Sequence, residues 1–147
     1  MKEIKVVDQF KNHAILEEGT IEGIDYKICF LRGGYYTCYL DVSNTDLAGI
    51  DYMSIDLDVW WGLTYGADHY PWERDTHSEI KDNKWIIGWD YGHCDDAVDV
   101  ELHEQLYDTP LYAVHDIESV HHTQLELYYQ CASAIYQIIA KGKELIQ

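Results

Sequence analysis

The chain has 147 residues, enough for one domain with a substantial core, and its 47% hydrophobic fraction with 13 Tyr and 5 Trp excludes a disordered chain. The formal charge of −17 opposes contact with nucleic-acid phosphates, so we expect no direct DNA or RNA binding. The start lacks an apolar signal segment and no apolar run approaches ~18 residues. We therefore expect a single cytoplasmic domain over residues 1–147, not bound to a membrane.

The first half of the chain predicts an antiparallel meander. Residues 1–11 are short and mixed, as at an edge strand, and the apolar run 14–16 leads into a predicted turn at 17–20. Alternation over 24–31 puts four apolar side chains on one face of a strand. Gly33-Gly34 is a strong hairpin signal, and the aromatic and β-branched residues of 35–42 supply the return strand.

The second half predicts two more strands and two helices. Residues 55–60 alternate like a strand, whereas 85–89 are almost wholly apolar, which favours a central strand. The polar connection 66–84 between them has the length of a functional or mobile loop. A short helix is expected near 100–106, and a long C-terminal helix is expected from an Asp116 cap to Lys141. Its predicted buried stripe is Ile117, Val120, Leu127, Cys131, Ile135 and Ile138.

These elements together predict an α+β fold. We expect an antiparallel sheet of about five strands with the long C-terminal helix packed on one face. The four cysteines, Cys29, Cys38, Cys94 and Cys131, show no zinc-finger spacing and are interpreted as reduced core thiols.

The densest group of chemically active side chains follows the predicted central strand. Asp90, His93 and Asp96 place two carboxylates and one imidazole within seven residues, a set that suits a divalent metal. Partners from the long loop, His69, Glu73 and His77, would complete such a site. The alternative is structural: Asp90 caps a turn, His93 packs against a tryptophan and Asp96 is solvated.

An aromatic pocket is the second candidate site. Glycines bracket residues 62–66, where a ligand could come close to the backbone, but no phosphate-binding glycine motif is present. Aromatic rings concentrate around this segment, as in a site that stacks on a flat ligand, although core packing produces the same pattern. The candidate ligand-binding residues are Trp60, Thr64, Tyr65, Trp89, Asp90, His93 and Arg74.

These two motifs resemble those of a family of small phage and prophage proteins with the pattern H-G-G-L-T-Y, a spacer, then W-W-x-G-F-D-x-x-H-x-x-D. Residues 62–65 match the end of the first block, whose His and first Gly are replaced by Trp60 and Trp61. The matches to the second block are Trp85, Gly88, Asp90, His93 and Asp96, with Trp89 in place of Phe. The resemblance implies a phage-type accessory protein acting in the cytoplasm of a bacterial host, and it implies no activity.

The leading hypothesis is a non-catalytic binding protein of phage type that antagonises a host defence. It would sequester a small nucleotide-like molecule in the aromatic pocket, or capture a basic host protein on its acidic surface. The first alternative is a divalent-metal-dependent hydrolase centred on Asp90, His93 and Asp96. The second is a structural or assembly protein whose aromatic surface is an interface in a homo-oligomer.

Overall fold

A computed structural model describes residues 4–6, 12–73, 84–93, 96–107 and 120–147. In this part of the chain, six strands form one antiparallel sheet in the order β1-β2-β3-β4-β6-β5, accompanied by two α-helices. The strands are β1 (Lys5–Val6), β2 (His13–Ile21), β3 (Ile24–Leu31), β4 (Tyr35–Asp41), β5 (Tyr65–Ala67) and β6 (Ile86–Asp90). The helices are α1 (Val100–Tyr107) and α2 (Gln124–Lys141). The predicted α+β fold is confirmed.

The N-terminal meander forms as predicted, except for its first turn. Strand β2 continues through the predicted turn at 17–20, and the chain reverses at Glu22 and Gly23 instead. Both turn residues have positive φ, 50° and 79°, which is the twist that a two-residue hairpin requires. The polar end of β2 stays in the sheet because it pairs with β3. The Thr20 hydroxyl also donates a hydrogen bond to the Asp25 carboxylate on that strand. Polar composition was therefore a misleading turn signal.

Helix α2 covers one face of the sheet and creates the main core. The predicted inward face of β3, from Ile24 to Phe30, is buried there, as are alternate residues of β4 and β6. The helix contributes Leu127, Cys131, Ala134, Ile135 and Ile138. On the opposite face, Tyr39, Tyr70 and Ile86 belong to a smaller cluster beside the 65–73 segment. The sheet thus separates the aromatic residues into two groups.

The predicted strand at 55–60 is not a strand. Its alternation is real, since Ile55, Leu57 and Val59 are buried while Asp56 and Asp58 are exposed. However, the side chains of α2 take the place of a neighbouring strand. Gln137 accepts from the Asp58 N–H and donates to the Asp58 carbonyl, each at 2.9 Å, and the Gln130 side chain accepts from the Trp60 N–H. Periodicity predicted the burial correctly but could not reveal these partners.

Helix α2 begins later than predicted. Its N-cap is Thr123, which forms a reciprocal capping box with Glu126. Val120 precedes the helix and pairs with Asp96 in an isolated parallel bridge, so its predicted place on the buried stripe is wrong. The predicted cap Asp116 and the stripe residue Ile117 lie outside the described residues. The rest of the stripe is buried as expected.

Helix α1 confirms the short helix predicted near 100–106. Among the described residues, no helix has both the length and the apolar composition needed to cross a bilayer.

Candidate functional site

The Asp96 carboxylate is the centre of a buried polar cluster at the end of β6. Its side chain is 1% exposed and accepts hydrogen bonds from four donor groups. The ring Nε2 of His122 lies 2.6 Å from Oδ1, and the ring Nδ1 of His93 lies 3.0 Å from Oδ2. The His93 backbone N–H and the indole N–H of Trp60 complete the set. The interpretation of Asp96 as a solvated side chain is therefore wrong.

The pKa of Asp96 reflects two opposing effects. Burial raises the pKa, because a carboxylate is costly to desolvate, whereas the hydrogen bonds from His122 and His93 lower it. The hydrogen bonds prevail, so the pKa lies below the ordinary value for an aspartate. Asp96 is consequently ionised at neutral pH and serves as a fixed negative charge between two imidazoles.

His93 links this buried charge to the surface. With Nδ1 held by Asp96, its Nε2 faces Asp90, whose Oδ1 is 3.7 Å away. The indole of Trp61 stacks on the imidazole with centroids 4.5 Å apart and planes within 9°. Trp61 has a left-handed φ of 58° and is 57% exposed, which is an unfavourable state for a bulky residue. The His93 imidazole is thus oriented by the Asp96 carboxylate and covered on one face by the Trp61 indole.

His122 is one of the site residues that the sequence did not predict, as are Tyr35, Thr37 and Tyr39 of the cavity described below. The sequence suggests a position on the C-terminal helix, where a pair of adjacent histidines would be divided between two faces. His122 instead precedes the Thr123 cap, with a side chain that is 1% exposed. Its ring contacts Tyr91 and Trp60, and its Nδ1 lies 3.3 Å from Glu126. The available signal was the capping box at Thr123 and Glu126, which places His122 outside the helix.

A cavity of about 240 Å³ opens on the sheet face opposite α2. Strand β4 supplies Tyr35, Thr37 and Tyr39 to it, since alternate residues of a strand share a face. Asp90 is the direct cross-strand partner of Thr37, so it lies on the same face. Gly88 of β6 is required beside this wall, because an added Cβ would lie 2.6 Å from the Tyr39 ring. The remaining lining residues are Leu31, Thr64, Tyr65, Trp89 and Gly92.

The hydroxyl of Thr37 is buried in the cavity wall without a hydrogen-bond partner in the described part of the chain. The residue is 4% exposed. The thiol of Cys29 and the phenol of Tyr39 lie close enough to the Thr37 side chain for it to oppose the rise that burial causes in their pKa values, but not in strict hydrogen-bond geometry with its hydroxyl. Leaving a buried hydroxyl unpaired costs about 1–3 kcal/mol. Such a hydroxyl can pair with a small molecule, water included, that reaches it from the cavity.

Asp90 is fixed at the edge of the cavity. Its Oδ2 accepts from the Thr64 hydroxyl at 2.8 Å, and its Oδ1 accepts from the Gly92 N–H at 3.0 Å. Burial, together with the nearby Asp90 charge, raises the pKa of Tyr35, so this phenol stays protonated and able to donate. Asp90 thus borders both the cavity and His93.

The structure brings together only some of the predicted ligand-binding residues. Thr64, Tyr65 and Asp90 meet at the cavity, and His93 lies beside Asp90. Trp60 is on the helix side, stacked on Tyr91, so it is not a cavity wall. Trp89 borders the cavity, but it is 1% exposed and belongs to the helix-side core. Arg74 lies outside the described residues.

Asp90, His93 and Asp96 lie close together, as a metal site would require, but His93 is hydrogen-bonded to Asp96 and faces Asp90. Among the described residues, no group of three His, Cys, Asp or Glu side chains is arranged to hold a metal ion. Of the expected loop partners, His69 contacts the neighbouring Asp68, and Glu73 contacts Lys84 and the Tyr70 N–H. His77 is not among the described residues. This geometry is more typical of imidazoles held in place by a carboxylate than of ligands to a metal ion.

Comparison with known proteins gives no relative: no family model, no curated protein and no solved structure is significantly similar to the chain.

Proposed function

We propose that the protein binds a small planar molecule, uncharged or cationic, in the cavity between β4 and Asp90. The observation that carries this proposal is the Thr37 side chain, which belongs to the cavity wall and whose buried hydroxyl has no hydrogen-bond partner among the described residues. A ligand with a hydrogen-bonding edge would pair with Thr37 and with the free lone pairs of Asp90. The phenol rings of Tyr35, Tyr39 and Tyr65 offer apolar surface to its faces.

The size of the cavity limits the ligand to about one ring system. Pockets for drug-sized molecules have about 300–1,000 Å³, and this cavity has about 240 Å³. A nucleobase, or the base portion of a nucleoside, meets both the size and the hydrogen-bonding requirements.

The charges around the cavity argue against a phosphate group. Its described lining residues include the Asp90 carboxylate and no lysine or arginine. Arg32 lies over the ring of Tyr107, 5.7 Å from its centroid, and does not line the cavity. The nucleotide-like ligand expected from the sequence is therefore narrowed to its base or nucleoside portion.

The resemblance to phage proteins supplies the cellular setting of this proposal. Sequestering a nucleobase-containing molecule in a bacterial host would antagonise a defence that depends on that molecule. Capture of a basic host protein by the acidic surface stays a separate prediction. It would weaken steeply with added salt, whereas binding in the cavity would change little.

The test is isothermal titration calorimetry with nucleobases and nucleosides, each nucleoside paired with its monophosphate. We expect one nucleobase or nucleoside to bind and its monophosphate to bind at least about tenfold more weakly. Thr37→Val should weaken binding, while Thr45→Val, a change at a hydroxyl that bonds to the Val42 carbonyl, should leave it unchanged. Tighter binding of the phosphates, or no binding by any compound, would reject the proposal.

A second candidate function, metal-free acid–base catalysis, is favoured by the orientation of His93. Its Nδ1 is fixed by the buried Asp96 and its Nε2 points to the carboxylate at the cavity edge. This is the geometry of an imidazole that moves a proton for a bound substrate. Acid–base catalysis would be established if the protein converts a bound compound in the presence of a chelator and the His93→Gln variant does not. Binding without conversion would show that the protein is a binding protein and not a catalyst.

A further inference from the structure

We infer that the ligand of the cavity between β4 and Asp90 carries a 2-amino-4-oxopyrimidine edge, which guanine and pterins share. This inference rests on the proposed function and adds which base the cavity selects. Such an edge presents an amino N–H, a ring N–H and a carbonyl oxygen side by side, so it has two donors followed by one acceptor. The cavity wall offers the complementary groups, a carboxylate that accepts and hydroxyl groups that donate beside it.

The Asp90 carboxylate keeps an acceptor position on each of its two oxygens in the described part of the chain. A carboxylate has about four lone-pair sites, and two are used: Oδ2 accepts from the Thr64 hydroxyl and Oδ1 accepts from the Gly92 N–H. The Nε2 of His93 lies 3.7 Å from Oδ1, which is beyond hydrogen-bond distance. The Asp90 side chain is 28% exposed, so a ligand can reach it. Asp90 is therefore a fixed acceptor for two adjacent N–H groups.

Two side chains of β4 place hydroxyl groups on the same face as this carboxylate. Thr37 is the direct cross-strand partner of Asp90, and Tyr35 lies two residues earlier on that strand. The Asp90 charge contributes to the raised pKa of Tyr35, so the phenol is close enough to respond to the carboxylate and it remains a donor. A carbonyl oxygen next to the two N–H groups of the ligand would therefore meet a donor and not a second carboxylate.

The other common bases match such a two-point acceptor poorly. Adenine and cytosine place a ring-nitrogen acceptor beside their amino group, so one carboxylate oxygen would face a lone pair. Uracil, thymine and hypoxanthine present a single ring N–H and no amino group, so only one oxygen would be paired. Because hydrogen bonds to charged groups are stronger than those between neutral groups, we expect either mismatch to weaken binding by at least about tenfold.

The experiment is calorimetric titration of the full chain with guanosine, inosine, adenosine and pterin. Inosine is guanosine without the 2-amino group, so this pair isolates the second N–H donor. We expect guanosine to bind at least about tenfold more tightly than inosine or adenosine. Pterin should bind as well, and the tighter of guanosine and pterin identifies the source of the edge.

Asp90→Asn tests whether the carboxylate provides the selection. An amide has nearly the same shape but replaces one acceptor by a donor, so the ratio of guanosine affinity to inosine affinity should fall toward one. The matched control is Asp56→Asn, which removes the same charge at an exposed aspartate and should keep the wild-type ratio. An unchanged ratio in Asp90→Asn would overturn the inference.

The wild-type titrations separate this inference from the proposed function and do not depend on the folding of any variant. If adenosine, inosine or another base binds as tightly as guanosine and pterin, the inference is overturned and the proposed function stands. If no base or nucleoside binds, both are overturned.

Discussion

His122 and Asp96 form a buried pair in which Nε2 and Oδ1 are 2.6 Å apart and both side chains are 1% exposed. The other ring nitrogen of His122 faces Glu126 at 3.3 Å. The pair joins the turn after β6 to the start of α2 by a buried hydrogen bond.

Removing the carboxylate should cost more stability than any exposed charge contributes. We expect Asp96→Ala to lower the free energy of unfolding by about 3–5 kcal/mol, because it leaves a buried imidazole without its partner. Urea denaturation followed by tryptophan fluorescence measures this loss. Asp56→Ala, at an exposed aspartate, is the control and should change stability by less than about 0.5 kcal/mol. Similar losses in both variants would contradict the central role of Asp96.

Stability should fall in acid partly through Asp96. Because its pKa is lower in the folded state, its contribution is fully present above the unfolded value of about 4 and is lost as pH falls through the folded value. Urea midpoints measured from pH 6 downward should decline below about pH 4 more steeply in the wild type than in Asp96→Asn. Parallel declines would show that other carboxylates account for the acid response.

Thr37→Val should separate stability from binding. The two side chains have nearly the same shape, so the change removes an unpaired hydroxyl without opening a cavity. We expect stability to be unchanged or to rise by up to about 1–3 kcal/mol, while affinity for the cavity ligand falls. Thermal denaturation and calorimetry on the same samples test both effects. A loss of stability would mean that the hydroxyl has a partner within the protein.

Three core thiols should be inert in the native protein. Burial is the main effect that raises the pKa values of Cys29 and Cys38. Cys131 is buried as well, and none of these three thiols is in a disulfide. In a Cys94→Ser variant, a thiol reagent should therefore react with none of the three until urea is added. Rapid labelling without denaturant would indicate that the helix opens readily from the sheet.

Local patterns predicted the sheet and helices because their signals lie within each element. Alternation identified β3, paired glycines identified the next hairpin, and a 3.6-residue period identified the buried face of α2. The site depends on contacts between distant segments: Asp96 meets Trp60 and His122, which are 36 and 26 residues away along the chain. No window of sequence contains these contacts, so the convergence on Asp96 and the role of His122 were not predictable.

The two edges of the sheet have a consequence for behaviour at high concentration. In the described part of the chain, the edge strands β1 and β5 contain only two and three residues. They expose few backbone N–H and C=O groups on which a strand of another molecule could align. The edge strands themselves therefore offer little template for fibril growth by sheet extension, and the longer template in the described part of the chain is the outer edge of β2 beyond its pairing with β1 at Ala14 and Ile15.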